Sequence, residues 1–577
     1  MRNIKPLDSL KQIVNERFDM FGEKTAFIEK FDGDKEFSNI SYNRVKNEIN
    51  SLGSVMIKKL NLKDKKIAVI GQNSYKWYVT YMAVACGVGI IVPLDKELPE
   101  NEILNLLNRS DAKCLVYSSR KKDIIEKIKD KLPKDFVYIE MGKESFDEFS
   151  YSYDELVGEG KKIIDNGYNE YIDMKINRDE FRILLFTSGT TSAPKGVMLS
   201  HKNLCANIFS AYNLIEDIGE CTYFSVLPIH HTYEFSLTYL FGTSEGATIG
   251  ICQGLKYVAK DLKVIRPTIF LAVPALIEKL SEKIDKEIEK TGKAKLISVI
   301  GNISYGLSRV GIDFRKVIFK KIHETFGGRL KYLLSGAAPI DAKLEKKFEI
   351  YGIRFLQGYG ITEASPLICA TTKKNYDFGT CGNAIVGEEV KIDLSKNDDK
   401  TSNIGEILAK GDNIMIGYYQ DDEKTKETIK DGWLYTGDLG YFNKNGNLVI
   451  TGRSKNVIVT ANGKNIYPEE LETLINRIPL VNESMVYGKE DEKDKLELIV
   501  TARVTLNEEY IESTYGKNRP SDSEIYDMIW NEIKNINKGL VSYKVIKSLE
   551  IKKEDFVKTT TMKIKRFEEV KNAEKNK

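Results

Sequence analysis

The chain has 577 residues, 42% of them hydrophobic and 30% charged, the proportions of a soluble protein with room for about four compact units. Lysine plus arginine exceed aspartate plus glutamate by 87 − 84 = +3, so no global field selects nucleic acid or an acidic partner. Seven cysteines without a CxxC pair and only four histidines disfavour a zinc site and fit a reducing cytosol.

The first residues lead from Met1 to Pro6 into charged amphipathic sequence without an apolar core, so no secretory signal is expected. Strand-like runs at residues 66–70, 90–92, 113–117, 183–186, 269–273 and 329–334 alternate with amphipathic helical segments. That alternation predicts α/β layers with largely parallel sheets. Residues 77–94 form the longest apolar stretch, interrupted by Gly87-Val88-Gly89 and closed by Pro93. A buried helix, a turn and a strand are expected there in preference to a membrane span. Residues 315–328 mix Val317, Ile318, Phe319 and Ile322 with Arg315, Lys316, Lys320 and Lys321. A basic-faced helix packed on the core is expected, with a membrane-surface helix as the alternative. From about residue 377 to 450 short strands and Gly/Asp turns such as Lys444-Asn445-Gly446-Asn447 predict a β-rich subdomain. Beyond Arg453 a short α/β tail is expected, with helices at 468–477 and 522–536 and a solvated or frayed Lys/Glu-rich end.

One loop carries the most specific signal. Thr187-Ser188-Gly189-Thr190-Thr191-Ser192-Ala193-Pro194-Lys195-Gly196 follows the apolar run 181–186. Glycine lets backbone N–H groups turn around an anion, hydroxyls add donors, and the lysine supplies a mobile charge suited to phosphate. The loop reads as a polyphosphate holder, a flexible surface turn being the plain alternative. It is not a Walker loop, since Ala193-Pro194 precede the lysine and Gly196 follows it.

Further motifs follow in fixed order. They are Leu227-Pro228-Ile229-His230-His231-Thr232-Tyr233-Glu234, Ser335-Gly336-Ala337-Ala338-Pro339 and Gln357-Gly358-Tyr359-Gly360-Ile361-Thr362-Glu363. Then come Tyr435-Thr436-Gly437-Asp438-Leu439-Gly440, Gly452-Arg453-Ser454-Lys455-Asn456, Asn462-Gly463-Lys464-Asn465 and Thr559-Thr560-Thr561-Met562-Lys563-Ile564-Lys565-Arg566. The ordered set resembles the adenylate-forming superfamily of acyl-CoA synthetases, peptide-synthetase adenylation domains and firefly luciferase. Within it the pattern is similar to bacterial long-chain fatty-acid–CoA ligases, over nearly the whole chain from about Leu10 to Arg566.

The resemblance implies roles residue by residue. Ser188, Gly189, Thr190, Thr191 and Lys195, with Thr187 at their base, would hold ATP phosphates, Thr190 also reaching the metal. Gln357, Gly358, Tyr359 and Gly360 with Gly336, Ala337 and Ala338 would take the adenine, Tyr359 by stacking. Thr362 would bond the α-phosphate and Glu363 would hold Mg²⁺. Asp438 would accept from both ribose hydroxyls while Arg453 donates to the same sugar, a plain salt bridge being the alternative. His231 would sit near the bound carboxylate, unless it is a satisfied core histidine; His230 is the less defined of the pair. Lys563 takes the catalytic-lysine position, with Lys565 two residues away. Lys455 would be the pivot of a domain rotation, after which Gly463 lines a CoA tunnel, its Asn-Gly turn being also a plain hairpin signal.

The implied fold is α/β. A large N-terminal domain of layered α/β subdomains plus a β-rich subdomain spans residues 1–452, and a small mobile α+β domain spans 453–577. The implied activity is ATP-dependent activation of a medium-to-long-chain fatty acid and its transfer to CoA. Alternatives keep the adenylation but use an acyl carrier protein as acceptor, or take an amino or aryl acid. A cytoplasmic protein is expected, with at most transient contact at the inner membrane face and its oligomeric state left open.

Overall fold

The computed structural model describes residues 6–142, 149–187, 194–215, 220–373, 375–395, 402–460, 464–490, 498–558 and 564–575. Two large sheets carry most of the chain. One runs Ser150–Ser152, Val137–Glu140, Ala112–Tyr117, Lys65–Ile70, Gly89–Leu94, Phe181–Thr187 (β1), Lys195–Ser200 (β2) and Gly417–Tyr418. It is parallel as far as β1 and antiparallel over the last two pairings. The other runs Ser38–Ser41, Thr25–Glu29, Thr248–Ile251, Thr222–Ser225, Ile269–Ala272, Tyr332–Ser335, Arg354–Gly360 (β3), Leu367–Ala370 and Asn383–Ala384. Its middle is parallel and both edges are antiparallel. Parallel strands are covered on both faces, which is why they read as continuous aliphatic runs. The run expected at 329–334 begins as a strand only at Tyr332, since Arg329 and Lys331 are exposed.

The apolar stretch 77–94 belongs to the core. Ser74 caps the helix Tyr75–Ala83, its Oγ accepting from the Trp77 N–H at 3.2 Å. Trp77 and Tyr78 are fully buried, and the Tyr81 and Phe235 rings meet at 4.0 Å between centroids. The chain then makes a wide helical turn, Val84–Val88, and enters the strand Gly89–Leu94. Pro93 does not close that strand: it stands opposite Val69, while pairing toward β1 is confined to Ile91 and Ile183. Its missing N–H therefore costs no ladder bond on the β1 side. Among the described residues no helix is long and apolar enough to cross a membrane.

The β-rich unit packs Glu388–Asp393, Gly405–Gly411, Trp433–Phe442 (β4) and Leu448–Arg453 (β5) into an antiparallel sheet. The turn between β4 and β5 is pinned by Asp377. Its Oδ2 accepts from the side-chain amides of Asn443, Asn445 and Asn447 at 3.0, 2.7 and 2.8 Å, which holds its carboxyl below the usual range.

The C-terminal part has its own core. The strands Val481–Glu490, Leu498–Leu506 and Ser548–Lys552 bury Val486 and Val500 against Ile475 of the helix Pro468–Ile475 and Ile525, Ile529 and Ile533 of the helix Asp522–Asn537. Described contacts with the large body include the polar pairs Arg477–Asp341 at 2.7 Å and Lys286–Glu509 at 2.5 Å. The terminal helix Arg566–Lys575 is not simply solvated, because Glu569 is fully buried and accepts from the Val557 N–H at 2.8 Å. The segment expected as one basic helix at 315–328 also differs. After the helix Ala294–Ser308 (α1) it splits into Arg315–Ile318 (α2) and Lys320–Thr325 (α3). Phe319, Ile322 and Phe326 face the core, whereas Val317 is 76% exposed.

Burial raises the carboxyls of Glu29, Glu234, Glu345 and Glu388 to about 8 each. The folded chain therefore keeps protons that the unfolded chain releases near its ordinary carboxylate range, and stability falls as pH rises toward 8. We expect the melting temperature to drop from about pH 5.5 to about pH 8.5. Glu234→Gln, which fixes the neutral form, should flatten that drop in a thermal-unfolding series. An unchanged slope in the variant would contradict the burial argument.

Candidate active site

The ends of two strands meet a carboxylate at the middle of a third. Asp438 on β4 stands opposite Arg453 on β5 in the antiparallel register. The Arg453 Nε donates to Asp438 Oδ1 at 2.7 Å, and the Tyr359 hydroxyl at the end of β3 donates to Oδ2 at 2.8 Å. Asp438 and Tyr359 are 7% and 6% exposed, so the bond between them lies in a low-dielectric setting where it is strong, whereas Arg453 reaches Asp438 from the exposed side. Burial pushes the Tyr359 phenol well above its usual range, keeping it a donor. The neighbouring Asp438 charge holds the Arg453 guanidinium above its own ordinary value.

The phosphate motif is placed at its two ends. Thr187 and Lys195 stand opposite each other where β1 pairs with β2, and Arg109 donates to the Pro194 carbonyl at the loop base. The Lys195 ammonium lies 5.0 Å from the Tyr418 ring centroid, and the Tyr418 hydroxyl donates to Glu363 Oε1 at 2.8 Å. Partial burial lowers the Lys195 pKa, with Lys424 and Lys455 pushing the same way and Glu363 and Asp421 opposing. Several cations thus share one small region, a field that attracts a polyanion.

Thr362 and Glu363 sit on a single helical turn directly after β3. Gly360 is required there, because a Cβ at that position would meet the Pro366 carbonyl oxygen at 2.0 Å. The Gln357 N–H donates to Thr371 Oγ1 at 2.8 Å, and Gly358 pairs with Ala370, so this motif is fixed from its far edge. Next to β3, Gly336 packs so closely on Tyr233 that a Cβ would lie 3.0 Å from its ring. Ala337, in the left-handed region at φ +71°, and Ala338 are exposed at the mouth.

That contact joins the histidine motif to the Gly336 motif. Asn73 holds the motif's start, donating to the Leu227 carbonyl at 2.7 Å and accepting from the Ile229 N–H at 3.1 Å. The His230 and His231 rings lie 4.0 Å apart between centroids, and His230 Nε2 is 3.4 Å from Asp95 Oδ2. Ligand atoms of Asp95, His230 and His231 all fall within 4.8 Å of one another, so polar groups converge here despite the absence of a CxxC pattern. Lys455 follows β5 on the turn Ser454–Asn456 and is exposed. Ser188, Gly189, Thr190, Thr191, Gly463 and Lys563 lie outside the described residues.

Sequence reasoning missed Tyr418, Asn73 and Asp95. Tyr418 occupies an edge strand and reads as an ordinary β residue. Asp95 had a usable signal, since it directly follows the parallel strand Gly89–Leu94, and sites of α/β sheets gather beyond such strand ends.

The model of the AMP-binding enzyme family matches residues 14–419, and that of the AMP-binding enzyme C-terminal domain matches residues 455–572. The chain is 29% identical over 574 residues to long-chain-fatty-acid–CoA ligase 5 of Rattus norvegicus, covering 92% of this chain and 82% of that one. It is 29% identical over 451 residues to fatty acyl-CoA synthetase B of Dictyostelium discoideum, covering 72% and 65%. Among solved structures, an anthranilate CoA ligase in complex with anthranoyl-AMP superposes with a TM-score of 0.77 at 19% identity, covering 99% of this chain and 98% of the other. A Mycobacterium tuberculosis fatty acyl CoA synthetase superposes at 0.65 and 20% identity, covering 98% of each chain. With this mixed α/β fold and a family match across most of its length, the chain belongs to the AMP-binding enzymes.

Proposed function

We propose that this protein is an ATP-dependent fatty acyl-CoA synthetase acting on medium-to-long-chain acids. The observation that carries the reading is the buried Asp438, shared by Tyr359 and Arg453, together with the Lys195–Tyr418–Glu363 cluster. A sugar-binding carboxylate next to a phosphate-binding field is what a nucleotide requires. The choice of acid and thiol is supported by relatives named as long-chain-fatty-acid–CoA ligases over most of the chain.

In the first half-reaction a carboxylate oxygen attacks the α-phosphorus of ATP, the bond to the β-phosphate oxygen breaks, and pyrophosphate leaves. Asp438 and Arg453 fix the ribose, Thr362 donates to the α-phosphate, and Lys195 with the preceding hydroxyls holds the outer phosphates. Two anions approach each other, so charge that strengthens in the transition state matters most. Lys563 supplies it from the C-terminal part. In the second half-reaction the CoA sulfur attacks the acyl carbonyl, the bond to AMP breaks, and the thiol proton is released. In this reading His231 serves the acyl side, Gly463 would line the thiol's path, and Lys455 would be the pivot between residues 1–452 and 453–577. The separate family matches and the polar Arg477–Asp341 and Lys286–Glu509 contacts support that division.

Glu363 suits a hard divalent cation. Tyr418 orients its carboxylate through Oε1, and Oε2 with Thr190 would complete the protein's share of an oxygen set. Mg²⁺ bound there would neutralise phosphate charge.

Two measurements test this reading. Pyrophosphate release across acids from acetate to palmitate, with CoA, a carrier protein or no thiol, should peak with long-chain acids and give thioester with CoA. A peak with amino or aryl acids, or thioester only on the carrier protein, would overturn it. Lys563→Ala should slow pyrophosphate release by about 10²-fold or more at near-normal ATP affinity, whereas Lys565→Ala stays within a few-fold. The reverse ranking would move the catalytic role to Lys565.

A further inference from the structure

Helix α1 is built inside out. Its small residues Gly301 and Ser304 face the protein, and a Cβ on Gly301 would lie 2.8 Å from Ile350. Its large residues Leu296, Val299, Ile300, Ile303 and Leu307 are 54, 57, 37, 59 and 41% exposed. Those positions follow an i, i+3, i+4, i+7, i+11 spacing, one continuous stripe on a helix, turned toward solvent. In the turn after the helix and in α2, Val310, Phe314 and Val317 are also 74, 60 and 76% exposed. Of the twenty-two exposed large hydrophobic residues among those described, ten lie between Leu296 and Ile318. A contiguous patch of this kind marks a contact surface.

The rim of the patch says what covers it. Residues 291–323 hold seven lysines and arginines and one acid, 7 − 1 = +6, against +3 for the whole chain. The ion pairs Lys290–Glu287, Arg315–Asp313 and Lys320–Glu324 leave Lys293, Lys295, Arg309, Lys316 and Lys321 without an acidic partner among the described residues. An apolar stripe edged by unpaired cations matches an anionic bilayer, whose acyl boundary takes the apolar groups and whose headgroups take the charges. Two copies joined by this face would bring like charges together, which disfavours self-association.

We propose that α1, the turn after it and α2 form a docking surface for an anionic lipid bilayer. This inference rests on the exposed face alone and is independent of the reaction. The helix Ala342–Ile350, on which Gly301 packs, leads from the Gly336 motif toward β3, so the docked face lies one helical layer from the nucleotide residues.

Flotation of the full-length protein tests it, with vesicles of phosphatidylcholine alone or containing about a third phosphatidylglycerol. Wild type should float with the anionic vesicles, at least about tenfold better than with the neutral ones, and should release at high salt. The triple variant Ile303→Asp, Val310→Asp, Val317→Asp should lose binding by about tenfold or more with an unchanged melting temperature, since all three side chains are exposed. Lys295→Glu with Arg309→Glu and Lys316→Glu should do the same. Wild type that stays in the soluble fraction, or variants that float like wild type, would overturn the proposal. A dimer in light scattering that the Asp variant dissolves would assign the face to a second copy instead.

Discussion

A single buried carboxylate joins two sheets of this protein at the site proposed for the nucleotide. Asp438 takes one bond from Tyr359 and one from Arg453, so it ties β3 of the nine-stranded sheet to β4 and β5 of the β-rich unit. A buried anion needs such partners, because leaving one unpaired costs several kcal/mol in order of magnitude. The site's alignment therefore depends on two sheets keeping their relative placement. The Asn443–Asn445–Asn447 clamp on Asp377 secures the β4–β5 turn at the other end of the same hairpin.

Charge is distributed to match. Partial burial, with Lys424 and Lys455 acting in the same direction, depresses the Lys195 pKa, while Tyr418 couples Lys195 to Glu363 through its ring and its hydroxyl. Burial is used differently in the core. Glu234 lies three residues from His231 with its carboxyl raised to about 8 and Oε1 without a partner, so the histidine motif rests on a neutral acid and not on a charge.

Much of this was legible in the sequence for physical reasons. Doubly covered strand segments are aliphatic, as the buried stretches 67–70 and 183–185 are. The family was legible from the ordered motifs, which the family models match over residues 14–419 and 455–572. Other features depend on what packs across from them. Tyr418 and Asp95 are ordinary residues until the fold places them beside Glu363 and His230. The periodicity of α1 predicts an amphipathic helix but not which face is inward. Gly301 settles that, since only the face without bulk approaches Ile350. The terminal helix looked solvated because Lys and Glu dominate it, yet Glu569 is drawn inside by the Val557 N–H.

The most direct measurement compares equilibrium binding of ATP with that of 2′,3′-dideoxy-ATP to wild type and to Asp438→Asn. Wild type should favour ATP by about a hundredfold or more, because a site built to bond the two hydroxyls is left unpaired without them. Asp438→Asn should lose most of that preference while remaining folded. Equal binding of both nucleotides by wild type, or a preference untouched in the variant, would contradict the assignment of Asp438 to the ribose and with it the placement of ATP.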